Sequence, residues 1–241
     1  MILVLDEIGD LAYISENIKL LRDTINEYGV RYSRNPDDIV LIGVSKTYPA
    51  QAAAAAVRAG LNDLGENRAE ELSIKSAVLA AHDLKPAWHM IGTLQRRKVR
   101  HVIGVACLIH SVDSMRILDE ISSRAAAEGV CADILLEVNI SGEENKHGFS
   151  PAEIYEVFEN THNIKDGIRV RGIMTMAPFT DNELVIEKVF EQAKVIFDNS
   201  APYFPSGESG ILSMGMSNDY KLAIKNGASH LRIGTAIFGK R

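Results

Sequence analysis

Apolar positions along the chain follow two rhythms that alternate from one end to the other. Ile8, Leu11, Ile14, Ile18, Leu21, Ile25 and Tyr28 recur at steps of three and four, which predicts a long amphipathic helix closed by Gly29. Ile39, Val40, Leu41, Ile42 and Val44 then form a β-branched run of the kind buried on both faces of a sheet, cut off by Ser45, Lys46, Thr47 and Pro49. A small-residue helix, AQAAAAAVRAG, ends at Gly60, and Leu61 to Gly65 makes a short strand. The segment GENRAEELSIKSAVLAA opens another helix, and a strand begins at Trp88 and runs to Gly92. A helix over Gln95 to His101, a strand over Val105 to Ser111, a helix over Asp113 to Glu128 and a strand over Ala132 to Asn139 continue the alternation. Ser150, Pro151 and Glu153 form a capping box for a helix that runs towards Asn163, and the strand Ile168 to Met174 comes next. Thr180 and Glu183 form a second box, opening a helix with Val185, Val189, Phe190, Ala193, Ile196 and Phe197 on one face. The chain finishes with a strand Ile211 to Met214, a helix Asp219 to Asn226 and a strand His230 to Ile233.

Eight strands, each but the last followed by a helix, fill a chain close to the roughly 250 residues usual for a (β/α)8 barrel. The fold class expected is therefore α/β, one TIM barrel over residues 1–241, with an open doubly wound sheet as the competitor. No eighth helix is expected, and the long N-terminal helix is the natural cover for the seam between the first and last strands.

Composition narrows the function classes. A net charge of −6 argues against a general nucleic-acid or anionic-membrane binder, so any phosphate is expected to be held locally. The two cysteines, Cys107 and Cys131, lie in or beside apolar runs and support neither a disulfide framework nor a zinc site. The acidic N-terminal ten residues carry no basic region and no long apolar run, so neither a signal peptide nor a membrane span is read, and a cytoplasmic setting is expected.

In such a barrel the reactive groups lie where strands end, and a phosphate site is often built from the loops after strands seven and eight. Lys46 stands where the first strand stops. An amine at the rim of an apolar interior loses hydration when protonated, so a fraction is expected to be neutral and able to attack a carbonyl; the competing reading is an ordinary solvated lysine. After strand seven comes SMGMSND, where Gly215 and Ser217 offer N–H groups and a hydroxyl, and after strand eight comes RIGTAIFG, where Gly234 and Thr235 do the same. Taken alone, Ser217 reads equally as an N-cap and Gly234 as a tight turn. Arg232, between Leu231 and Ile233, needs an acceptor if buried, either a ligand or a carboxylate such as Glu137 or Glu66. Together these match the demands of pyridoxal 5′-phosphate: an aldehyde for the lysine, a phosphate for the two turns and a ring nitrogen for the arginine.

The segments GVSKTYP (Gly43 to Pro49), LGENRAEE (Leu64 to Glu71), WHMIGTLQRRK (Trp88 to Lys98), EVNISGEENKHGF (Glu137 to Phe149), RGIMTMAP (Arg171 to Pro178), SMGMSNDY (Ser213 to Tyr220) and RIGTAIFG (Arg232 to Gly239) closely resemble the pyridoxal phosphate homeostasis protein family. That family is similar to the barrel domain of alanine racemase standing alone, a fold-type III pyridoxal phosphate barrel. The resemblance implies Lys46 as the residue of the internal aldimine, Asn67 near the ring's phenolic oxygen, Ser217, Gly234 and Thr235 on the phosphate, Arg232 facing the pyridine nitrogen, and Ser213 and Met214 lining the phosphate turn. Two positions depart from the family pattern: Thr93 stands where proline is common and Arg97 where asparagine is common.

A permanently charged guanidinium beside the ring nitrogen disfavours its protonation and weakens the cofactor as an electron sink. A two-base racemase also needs a second acid or base, which Tyr48 and Tyr220 are not expected to supply, and with the sequence ending at Arg241 no further domain is expected to supply one. The implied function is a monomeric carrier that holds pyridoxal phosphate and delivers it to apo-enzymes; the alternatives are a weak amino-acid racemase or an aldolase in which Lys46 engages a sugar phosphate directly. His89 and His110 read as satisfied core residues and not metal ligands, Arg96, Arg97, Lys98 and Arg100 as a solvated face, and Lys146 as a loop residue near the site.

Overall fold

The computed structural model describes residues 11–143, 147–164 and 166–240. Eight parallel strands close a barrel in chain order: β1 (Val40–Val44), β2 (Asp63–Glu66), β3 (Ala87–Met90), β4 (Leu108–Val112), β5 (Ala132–Glu137), β6 (Ile168–Met174), β7 (Ile211–Ser213) and β8 (His230–Ile233). Closure comes from the pairing of β1 with β8, in register from Val40 with His230 to Gly43 with Ile233. The barrel expected from the eight alternating units is the one observed, and the open sheet is excluded.

Helix α1 (Ala12–Arg31) buries Ile14, Ile18, Leu21 and Ile25, while Ile8 lies outside the described residues. It does cover the seam. Tyr13 Oη donates to the Phe238 carbonyl at 3.1 Å and Asn17 Nδ2 to the Ile237 carbonyl at 3.0 Å. Gly29 does not end the helix; it lies within it, and a Cβ there would meet Pro36 Cγ at 3.0 Å, so its role is to admit the following turn. The other helices are α2 (Ala50–Arg58), α3 (Ala69–Ala80), α4 (Met115–Ala127), α5 (Ile154–Ile164), α6 (Glu183–Asn199), α7 (Tyr220–Lys225) and α8 (Thr235–Phe238). The eighth helix is therefore present as a single turn, too short for hydrophobic periodicity to betray it.

Three further expectations are corrected. Arg96–His101 is a 3-10 helix, and β4 begins at Leu108 because Val105 and Ala106 donate to the Val102 carbonyl and continue that turn. Helix α6 is capped by Asn182, whose side chain accepts from Leu184 N–H at 3.1 Å, while Thr180 Oγ1 accepts from Asn182 N–H. The box at Ser150 and Glu153 does form, with Glu153 N–H on Ser150 Oγ at 3.3 Å and Ser150 N–H on Glu153 Oε2 at 2.9 Å. Among the described residues no helix is long and apolar enough to cross a membrane, no acidic, His or Cys group could hold a metal ion, and both cysteines are free.

Candidate functional site

Lys46 follows the buried Ser45 at the C-terminal end of β1 and is itself half-buried. Its strand end is fastened from three sides. Ser45 N–H donates to the Gly65 carbonyl at 3.1 Å, Ser45 Oγ donates to Glu66 Oε1 at 2.6 Å, and Lys75 Nζ donates both to the Ser45 carbonyl at 2.7 Å and to Glu66 Oε1 at 2.6 Å. Burial raises the Glu66 carboxyl above its ordinary range against the opposing pull of Lys75, and its Oε2 has no partner among the described residues. Thr47, next to Lys46, has φ +65°, a costly conformation for a β-branched residue, and its N–H is held by Glu71 Oε2 at 3.0 Å. The backbone around Lys46 is thus over-determined. Neither Lys75 nor its pairing with Glu66 was singled out in the sequence, where the two are simply nine residues apart on a helix and a strand end.

Asn67 comes directly after β2, and the chain after β3 passes against it: a Cβ on Gly92 would collide with the Asn67 backbone. Glycine at 92 is what lets Asn67 occupy the rim.

The two turns after β7 and β8 are joined. Ala236 N–H donates to Ser217 Oγ at 3.3 Å, and Asp219 closes the first turn by accepting from Met216 N–H at 2.5 Å. Gly215 has φ +95°, and a Cβ there would lie 2.5 Å from that of Ala223. The N–H groups of Ser217, Asn218 and Thr235 meet no acceptor among the described residues. Gly234 lies against β1, where a Cβ would be 3.4 Å from the Val44 carbonyl oxygen, two residues before Lys46. The paired register of β1 and β8 therefore brings Lys46, Gly234, Thr235 and, through Ala236, Ser217 to one sector of the rim.

Arg232 is 4% exposed, in the barrel interior one turn of pleat below Gly234. Neither carboxylate considered for it takes it up: Glu66 is paired with Lys75, and Glu137 acts on Arg232 only through its field, as does Asp219. Instead Nη1 donates to Ser213 Oγ at 2.6 Å and Nη2 to the Thr175 carbonyl at 2.9 Å, leaving the rest of its five donors without an acceptor among the described residues. Burial lowers its pKa to about 10, with Asp219 and Glu137 opposing. Ser213 and Met214 are both fully buried, and Ser213 Oγ lies beneath the turn, between Arg232 and His110.

The remaining features settle as follows. His89 and His110 are satisfied core residues, hydrogen-bonded to one another at 3.0 Å. Arg96 pairs with Glu120 at 2.9 Å, Lys98 pairs with Glu70, and Thr93 and Arg97 are exposed, so the basic segment is a solvated face. Tyr48 gives its hydroxyl to the Gly239 carbonyl at 2.6 Å, and Tyr220 is buried. Lys146 lies outside the described residues. Phe179, on the connection from β6 to α6, is wholly exposed and Leu184, in the first turn of α6, largely so, apolar surface that the sequence reading did not anticipate. A set of unclaimed amide donors, spare guanidinium donors and a strand-end amine fits a group with a phosphate, a ring acceptor and an aldehyde.

Residues 10–241 match the family model described as the alanine racemase N-terminal domain. The chain is 36% identical over 226 residues to the pyridoxal phosphate homeostasis protein of Aquifex aeolicus, covering 94% of this chain and 97% of that one. It is 36% identical to the protein of the same name from Escherichia coli K12, covering 95% and 97%. Among solved structures, PipY of Synechococcus elongatus PCC7942 with pyridoxal phosphate bound superposes with TM-score 0.80 at 31% identity, covering 94% of this chain and all of that one. Alanine racemase from Corynebacterium glutamicum, at 14% identity and TM-score 0.73 over 96% of this chain and 62% of the enzyme, shares the fold. A barrel closed in this order, with a lysine at the end of β1 and donor-rich turns after β7 and β8, accords with these likenesses, and the chain belongs to the alanine racemase N-terminal domain family and, within it, to the pyridoxal phosphate homeostasis proteins.

Proposed function

We propose that the chain binds pyridoxal 5′-phosphate as a Schiff base on Lys46 and serves as a cytoplasmic, monomeric carrier that limits the free aldehyde and passes the cofactor to apo-enzymes. The observation that carries this reading is the convergence at one sector of the rim of Lys46 with the unclaimed N–H groups of Ser217, Asn218 and Thr235. When bound, the cofactor supplies an electrophilic aldehyde and an electron-withdrawing ring. The chain's own residues do the holding: the two amide turns take the phosphate, Asn67 stands beside the ring, and Arg232 directs donors at the ring nitrogen.

A carrier is favoured over a racemase by the state of the two nearest tyrosines. Tyr48 has committed its hydroxyl to a backbone carbonyl and packs its ring at a tilt against Phe238, 5.2 Å between centroids, and Tyr220 packs in the core, so neither is poised to deliver a proton to a substrate.

The test is reduction with borohydride after incubation with pyridoxal phosphate, followed by peptide mapping. The adduct mass is expected on Lys46, and Lys46→Ala should lose the visible absorbance with an unchanged unfolding transition. Protein that stays colourless with the cofactor, or is labelled at another lysine, overturns the proposal. Exchange of the α-proton of L-amino acids in deuterated water at enzyme-like rates would overturn the carrier reading, and light scattering tests the monomer.

A further inference from the structure

The barrel interior beneath the rim is crossed by an unbroken line of hydrogen bonds. Arg232 Nη1 reaches Ser213 Oγ at 2.6 Å, Ser213 Oγ lies 2.9 Å from His110 Nδ1, His110 Nε2 lies 3.0 Å from His89 Nδ1, and His89 Nε2 lies 3.0 Å from Asp63 Oδ1. Five strands contribute to it: β8, β7, β4, β3 and β2.

With both imidazoles neutral, the chemistry of the two ends fixes every proton between them. Arginine has no acceptor, so Ser213 Oγ must accept from it and its own hydrogen is free to go to His110 Nδ1. An ionised carboxylate only accepts, so His89 Nε2 must carry a hydrogen. With both imidazoles neutral, His110 Nε2 donates to His89 Nδ1, and no link is left with two donors or two acceptors. Reasoning from either end gives the same direction, from Arg232 down to Asp63, whose side chain is 29% exposed. His110 is wholly enclosed; burial, with His89, Arg232 and His230 adding to it, lowers its pKa and keeps it neutral. The other titratable groups around the line are His230, within 6.3 Å of both imidazole rings, Cys107, whose Sγ is 3.6 Å from His89 Nε2, and Glu137 and Asp219 beside Arg232.

We propose that Ser213, His110, His89 and Asp63 are positioning residues for Arg232, a one-way donor chain that holds the guanidinium as a donor to the ring nitrogen and so keeps that nitrogen unprotonated in the bound cofactor. The inference rests on the cofactor reading above and adds to it the residues that set the ring's electronic state. Ser213 gains a role it would lack as a mere lining residue: its single hydroxyl converts a cation's donor into the acceptor-donor alternation that two histidines require.

Two measurements test it. In the protein without cofactor, 15N NMR of the imidazoles at pH 8 should show both His89 and His110 protonated at Nε2 and bare at Nδ1, with the His110 pattern unchanged down to pH 5; the opposite tautomer at either ring, or a His110 imidazolium in that range, overturns the chain. In the cofactor-loaded protein, the ring nitrogen of 15N-labelled pyridoxal phosphate should titrate at least one pH unit higher in His110→Phe and Ser213→Ala than in wild type, and the visible band should follow the same pH profile. Asp63→Asn, whose Oδ1 still accepts from His89, should keep the wild-type profile, while Asp63→Leu should not. Loaded His110→Phe and Ser213→Ala with wild-type ring-nitrogen titration refute the proposal and leave cofactor binding intact; should His110→Phe fail to fold, Ser213→Ala alone decides. Wild-type protein that takes up no pyridoxal phosphate removes the reading beneath it, a different failure that the adduct map reports.

Discussion

Glu137 provides a quantitative test of how dry the barrel mouth is. It ends β5 with 5% of its surface exposed, and burial together with the nearby Asp113 pushes its carboxyl up to about 7, although Arg232 and His147 pull the other way. In the unfolded chain the same group titrates near 4.5. Between those two values the native state holds a proton that the unfolded state has released, so the contribution to stability is complete below pH 4.5 and is lost as pH rises through 7. The gap of about 2.5 pH units, at about 1.36 kcal/mol each, is worth roughly 3.4 kcal/mol, of which about 2.5 kcal/mol is lost between pH 5 and pH 8. Glu137→Gln keeps the shape and cannot ionise. Urea unfolding of the protein without cofactor should show the variant gaining about 2 to 2.5 kcal/mol on wild type between pH 5 and pH 8, whatever their relative stability at pH 5. His147 acts on Glu137 from a largely exposed position, and repeating the pair in a His147→Gln background removes its share. Parallel stability curves for the two proteins would show that Glu137 is solvated in the native state and would refute the reasoning.

Lys75→Met should cost about 3 to 5 kcal/mol in urea unfolding, because it strands the Glu66 carboxylate in the interior, and Glu66→Gln added to it should restore much of the loss. Gly172→Ala should prevent β6 and β7 from pairing, since a Cβ there would run into the Ile211 carbonyl at a backbone φ of +152°; the expected outcome is insoluble protein or loss of the cooperative transition. Asn182→Ala removes the cap of α6 and should lower stability by about 1 kcal/mol with no change in cofactor uptake.

Legibility in the sequence depended on whether a feature was local. The bounds of β6 and β8 were readable because each apolar run is bracketed by turn residues, and Lys46 was readable because a buried run stops abruptly at a polar group. The start of β4 was not, since Val105 and Ala106 are apolar yet serve a turn, and α8 was hidden by its length of four residues. Within the candidate site, Ser217, Gly234 and Thr235 were proposed from the composition of the loops after strands seven and eight. The partners of Arg232 could not be read that way: Ser213 is 19 residues away and Thr175 is 57, and only closure of the barrel makes them neighbours. The line from Ser213 to His110 spans 103 residues, so single histidines on apolar strands gave no sign of being a set.

That set explains how this barrel tolerates a polar interior. Barrels of this kind are usually filled by layers of branched aliphatic side chains, whereas here Asp63, His89, His110, Ser213, His230 and Arg232 project from strands that otherwise carry leucine, isoleucine and valine. Such a layer is stable only if its hydrogen bonds are made and its charges are few. Hydrogen-bonded histidines satisfy the first condition along the whole line, and Arg232 is an interior cation with no carboxylate in ion-pair contact among the described residues and with donors to spare. A guanidinium so placed is costly in the empty protein and is relieved by any ligand that brings an acceptor, so stability and occupancy are coupled. Cofactor should therefore raise the midpoint of thermal unfolding in wild type by more than in Arg232→Met, whose empty form has no buried charge to relieve; an equal rise in both would mean that the phosphate and Lys46 supply all of the binding energy.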